Sequence, residues 1–96
     1  MSRSLTNRTD QQRALDGMRI KILGTTIRRI RQDANLTSEQ IAQRTGMNRR
    51  TFEQIERGKT SPQWTSMCAI ADALDVKPSE LMSDVDLALK GWKTQQ

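Results

Sequence analysis

Three side chains able to form paired hydrogen bonds, Arg49, Arg50 and Gln54, fall within one short run, NRRTFEQIERG, which begins at Asn48. Their chemistry is recognition: guanidinium groups and a carboxamide bind polar or anionic surfaces by donated hydrogen bonds. Catalysis has little to work with. The 96-residue chain has no histidine, no glycine-rich phosphate loop, no cluster with metal-ligand spacing, and one cysteine. An enzyme is the least supported class, no metal or other cofactor is expected, and no small-molecule ligand is expected either. Cys68 lies in the apolar run Met67-Cys68-Ala69-Ile70-Ala71, so it reads as a buried, inert thiol.

The position of the arginines is an electrostatic oddity. Arg49 and Arg50 open a helix, where the positive end of the macrodipole disfavours a cation by ~0.3–1 kcal/mol. A polyanionic partner accounts for their presence. Charge along the chain points the same way: residues 1–31 carry eight Arg and Lys against two Asp, whereas residues 61–96 carry three against five acids, within a net charge of +5. Charge alone does not choose between a nucleic acid and a membrane surface. No apolar stretch approaches the ~18 residues needed to span a bilayer, mean hydropathy is −0.74, and the start MSRSLTNRTD lacks a secretory apolar segment. A cytoplasmic location is expected.

The elements that position these side chains are helices. Apolar residues recur at spacings of three and four, with no strand-like alternation, which predicts an all-α domain of five helices around one core. The first covers about Ile20 to Ala34, with Ile20, Leu23, Ile27 and Ile30 on one face and Asn35 as its stop. The second opens at Thr37, where Gln40 completes a capping box and Leu36 and Ile41 form a hydrophobic staple. It ends at Gly46, suited to a left-handed exit. The third runs from the N-cap Asn48 to about Arg57, with Met47 and Phe52 as its staple and Gly58 beyond its end.

Pro62 is placed in the first turn of a fourth helix whose core stripe is Trp64, Met67, Ile70, Ala71 and Leu74. A short fifth begins at Pro78, with Val76 stapled to Leu81 and Glu80 in the first turn. Ser83 is expected to cap a further amphipathic segment, residues 84–96, whose Val85, Leu89 and Trp92 form an uncovered stripe and a candidate interface. Residues 1–18 are expected to be a basic arm, mobile or a frayed extension of the first helix, because Gly17 weakens a continuous one. Residues 19–83 make the domain proper.

Only Gly46-Met47 separates the second and third helices, and the small Ala42 allows close approach, which is a helix-turn-helix arrangement. With Met47, Phe52 and Ile55 turned inward, Arg49, Arg50, Glu53, Gln54 and Arg57 point outward or to the flanks.

The segment LGTTIRRIRQDANLTSEQIAQRTGMNRRTFEQIERGKTSP, followed by IADALDVKPSEL, resembles the Cro/repressor (Xre) class of helix-turn-helix domains over about Leu23 to Met82. The resemblance rests on Leu36-Thr37, Ile41-Ala42, Gly46, Ile55-Glu56-Arg57-Gly58 and the Ala-Leu-x-Val-x-Pro link into the last helix. It implies a homodimer on a (pseudo)palindromic double-stranded DNA operator, with the third helix in the major groove, acting as a transcriptional repressor. Arg49, Arg50 and Gln54 are then base readers, since guanidinium suits guanine O6 and N7 and carboxamide suits adenine N6 and N7.

Backbone or secondary contacts fall to Thr37, Asn48, Thr51, Arg57, Lys59 and Thr60, and to Ser38, which stands where many such domains carry a glutamine reaching towards the DNA. Glu53 either accepts from cytosine or holds an arginine in place. The resemblance also implies an ion pair, Arg31 with Glu56, joining the first and third helices. Dimer contact falls to Trp64, Val85, Leu89 or Trp92. The alternative is a protein-interaction regulator, such as the antitoxin of a toxin-antitoxin module, binding a protein partner through that same apolar tail or the basic arm.

Overall fold

In the computed structural model, which describes residues 9–94, five helices follow one another: α1 (Asp10–Asp33), α2 (Ser38–Thr45), α3 (Arg49–Glu56), α4 (Trp64–Ala73) and α5 (Pro78–Thr94). No strand occurs among the described residues. The fold is all-α. Phe52, Ile27, Ile41, Ile70 and Leu81 are its most deeply buried large side chains, one from each helix, so every helix has a stake in a single core.

Three boundaries differ from the sequence expectation. α1 starts ten residues early, at Asp10, so residues 10–18 are helix; residues 1–8 of the expected arm lie outside the described residues. The start is fixed by a capping box in which Thr9 Oγ1 accepts from the Gln12 amide (3.2 Å) and Gln12 Oε1 accepts from the Thr9 amide (2.8 Å). A good cap contributes ~1 kcal/mol, comparable with the ~1 kcal/mol that Gly17 costs, and packing along α5 decides the balance.

α5 is one continuous helix, and Ser83 is no cap. Leu81, Val85 and Leu89 repeat at i, i+4 and i+8 straight through Ser83, and all three are buried, because α1 lies along them. The apolar tail that looked uncovered is therefore inside the chain: Val85 and Leu89 belong to the monomer's own interior and are withdrawn as dimer contacts, while Trp92 is half-buried. Arg29 and Asp84 tie the two helices at 3.0 Å.

α4 begins at Trp64, with Gln63 as an N-cap that makes no side-chain bond, and Pro62 precedes it. Met67, Ile70, Ala71 and Leu74 are buried, but Trp64 is 62% exposed. It shares their stripe by spacing and sits at the helix end, past the edge of the core.

The first four helices end alike. Asn35, Gly46, Gly58 and Asp75 have φ of 57°, 72°, 70° and 58°, and the following amide reaches back five residues in each case: Leu36 to Arg31, Met47 to Ala42, Lys59 to Gln54 and Val76 to Ala71, at 3.0–3.1 Å. Each is a Schellman closure. At three of the four connections this turn lets the chain reverse within three or four residues, and it sets α2 and α3 side by side.

Candidate nucleic-acid interface

The connection between α2 and α3 is Gly46-Met47-Asn48. Thr45 Oγ1 donates to the Ile41 carbonyl (2.8 Å) and accepts from the Met47 amide (3.2 Å), so the turn is held from within. Thr37 and Gln40 form the capping box at the start of α2, at 2.8 and 3.1 Å. Asn48 Oδ1 accepts from the Arg50 amide at 2.8 Å. Asn48 thus caps α3 and stays exposed.

Phe52 and Ile55, at 0% and 2% exposure, root α3 in the core, and the helical period turns Arg49, Arg50 and Thr51 to solvent, with Glu53 and Gln54 half-buried on the flanks. Around that face lie Thr37 and Ser38 at the mouth of α2, and Arg57, Lys59 and Thr60 in the turn after α3; of these only Ser38 is half-buried, the rest exposed. The structure therefore brings every expected contact residue to α3 or to one of its two borders. Trp64, Val85, Leu89 and Trp92 lie on α4 and α5.

Within the face the two arginines differ. Arg49 Nε lies 3.2 Å from Glu53 Oε1, and its Nη1 lies 4.0 Å from Glu39 Oε2 on α2. Glu53 holds this arginine, with Glu39 as a second carboxylate that sequence reasoning missed. Arg50 has no ion-pair partner among the described residues.

Beneath the face, Arg31 and Glu56 meet in a two-pronged contact: Nε to Oε2 at 2.7 Å and Nη2 to Oε1 at 3.0 Å. A third bond runs from Arg31 Nη1 to the Leu36 carbonyl at 2.8 Å. One guanidinium thereby fixes α1, the entry to α2 and the end of α3. The side chains are 11% and 5% exposed, so the pair is part of the framework.

Two further framework residues escaped the sequence reading. Arg44 Nη1 donates to the Ala73 carbonyl at 3.0 Å, joining α2 to the C-terminus of α4. Gly24 marks where the end of α3 crosses α1: a Cβ there would lie 2.5 Å from the Ile55 carbonyl oxygen and 2.6 Å from that of Glu56. The available signal was a glycine inside a regular helical stripe, away from either end.

A family model described as a helix-turn-helix domain matches residues 22–83. The chain belongs to the helix-turn-helix family. Its architecture is of the Cro/repressor type. It is 30% identical over 66 residues to an HTH-type transcriptional regulator, y4dJ, of Sinorhizobium fredii, covering 69% of this chain and 86% of that protein. Among solved structures it is similar to the restriction-modification controller protein C.AhdI of Aeromonas hydrophila, with 29% identity, a TM-score of 0.63, and coverage of 65% of this chain and 94% of the other. The clp gene regulator ClgR of Corynebacterium glutamicum superposes with a TM-score of 0.75 at 18% identity, over 81% of this chain and 82% of the other, a likeness of fold. No described helix is long and apolar enough to cross a membrane.

Proposed function

We propose that this helix-turn-helix protein is a sequence-specific double-stranded-DNA-binding transcriptional regulator, a cytoplasmic repressor that occupies a (pseudo)palindromic operator as a homodimer. The observation that carries the proposal is the outward face of α3, polar and long-armed, borne on a helix rooted by Phe52 and Ile55. The similarity to a transcriptional regulator and to a restriction-modification controller supports it. Arg50 and Gln54 read bases directly, and Arg49 does so while Glu53 limits its rotamers. Thr37, Ser38, Asn48, Thr51, Arg57, Lys59 and Thr60 hold backbone or secondary positions that set register. Two recognition helices separated by one helical turn of DNA, ~34 Å, would give a two-fold symmetric site.

Selection of bound duplexes from a random pool tests the reading: one enriched palindromic motif is expected, and recovery of unenriched sequence would sink it. On the enriched duplex, Arg50→Ala should cost ~1–3 kcal/mol and relax preference at one base position, whereas Lys59→Ala should weaken all duplexes alike. Equal effects of both variants on selected and random duplexes would refute the division into readers and anchors.

With Val85 and Leu89 inside the fold, the antitoxin alternative keeps only Trp92 and the basic arm of the surfaces on which it rested. Trp64 and the half-buried Trp92 remain as dimer contacts, and Trp64 is the more exposed. Trp64→Arg should leave the melting midpoint within a few degrees and shift the sedimentation coefficient from dimer to monomer. A persistent dimer would place the interface elsewhere, and a monomeric wild type would remove homodimerisation from the proposal.

A further inference from the structure

We infer that Lys21, on α1, is a DNA-phosphate contact, so that the grip on the backbone beside α3 is built from two elements and not from the turn after α3 alone. The inference rests on the DNA-binding reading above and adds to it a residue from a different helix.

The placement is enforced by backbone contact. A Cβ on Gly58 would lie 2.8 Å from Lys21 Cα and 3.0 Å from Lys21 Cγ, so the turn Gly58-Lys59-Thr60 runs directly over this lysine. Gly58 has φ of 70°, and glycine there serves the close approach to α1 as well as the left-handed turn. Lys21 Cα, Cβ and Cγ lie against Gly58, and a lysine side chain is long enough for its ammonium, three bonds beyond Cγ, to reach the turn that carries Lys59 and Thr60. The residue is exposed.

Charge completes the argument. Lys21 lies against Gly58, which joins Arg57 to Lys59, and none of the three cations has an ion-pair partner among the described residues. Cations gathered without carboxylates repel one another, and the arrangement is relieved when a polyanion is laid across it. Arg29, two turns further along α1 and lining the same surface cavity as Lys21, is by contrast paired with Asp84. α3 ends at Glu56, and its C-terminal carbonyls also favour a nearby cation. That structural role and a phosphate contact are separated by what they change: the first sets the melting midpoint, the second the number of counterions released on binding DNA.

The test uses the full chain, the duplex enriched by selection, a random duplex of equal length, and affinities measured between 50 and 200 mM salt. Lys21→Met keeps the stem and removes the charge. It should reduce the slope of log affinity against log salt by about 0.9 for each subunit bound, weaken both duplexes several-fold at the lower salt, and leave the melting midpoint within a few degrees of wild type. Lys21→Arg should restore the slope, and Arg29→Gln should leave it unchanged. A wild-type slope in Lys21→Met, or a slope lost equally in Arg29→Gln, overturns the contact while leaving the DNA-binding reading intact. A wild-type chain that binds neither duplex overturns both.

Discussion

Glu56→Ala should destabilise the fold by ~3–5 kcal/mol, the cost of leaving one member of a buried pair uncompensated. For a domain of this size, that lowers the melting midpoint by more than ~10 °C. The expectation follows from burial and from connectivity. The Glu56 side chain is 5% exposed and that of Arg31 is 11%, so neither charge can turn to water when its partner is removed. Arg31 would keep only its bond to the Leu36 carbonyl, and the three-way junction between α1, the entry to α2 and the end of α3 would lose two of its three bonds. Replacing both residues, Arg31→Met with Glu56→Leu, should recover much of the loss, since a buried pair often stabilises no more than apolar side chains of similar volume. DNA affinity should fall in Glu56→Ala in proportion to the unfolded fraction and alike on every duplex. A melt within a degree or two of wild type would show that the pair is not part of the framework.

Local signals in the sequence were strong where one residue determines its own surroundings. Thr37 with Gln40, Asn48, Gly46 and Gly58 each specify a cap or a turn through their own backbone or a neighbour three residues away, and these ends occur as their chemistry dictates. The inward set Ile41, Phe52 and Ile55 is likewise legible from the helical period alone. What the helical period could not show was how distant helices lie on one another; the Arg31–Glu56 pair between α1 and α3 was legible only through the family resemblance. Val85 and Leu89 looked uncovered because the reading that began α1 near Ile20 left nothing to lie on them; ten more residues of α1 and an uninterrupted α5 close the gap. Trp64 erred in the opposite direction, since period places it on a stripe without saying where the core stops. For the candidate interface, residue type and helical phase carried Arg49 and Arg50 to the outer face of α3 and Gln54 to its half-buried flank, but the reach of Glu39 to Arg49 and of Lys21 to Gly58 depends on how α2 and α1 approach α3.

That dependence on approach gives glycine substitutions in one helix opposite signs. Gly17 and Gly24 both lie inside α1, where alanine is intrinsically favoured by ~1 kcal/mol. At Gly17 an added Cβ meets nothing within 4 Å, so Gly17→Ala should raise the melting midpoint by a few degrees. At Gly24 the same methyl would fall 2.5 Å and 2.6 Å from two carbonyl oxygens of the last turn of α3. Those atoms are backbone, and no rotamer change moves them. The Ile55 oxygen also accepts the Gly58 amide at 3.0 Å, so displacing it disturbs the turn that presents Arg57, Lys59 and Thr60. Overpacking of this kind costs ~1–3 kcal/mol or more, which exceeds the propensity gain. Gly24→Ala should therefore lower the midpoint, and in the fraction still folded it should weaken binding to all duplexes by shifting α3 and its borders together. A Gly24→Ala chain that melts at or above wild type would mean that α1 and α3 can part without loss, and the tight crossing would then not be what fixes α3.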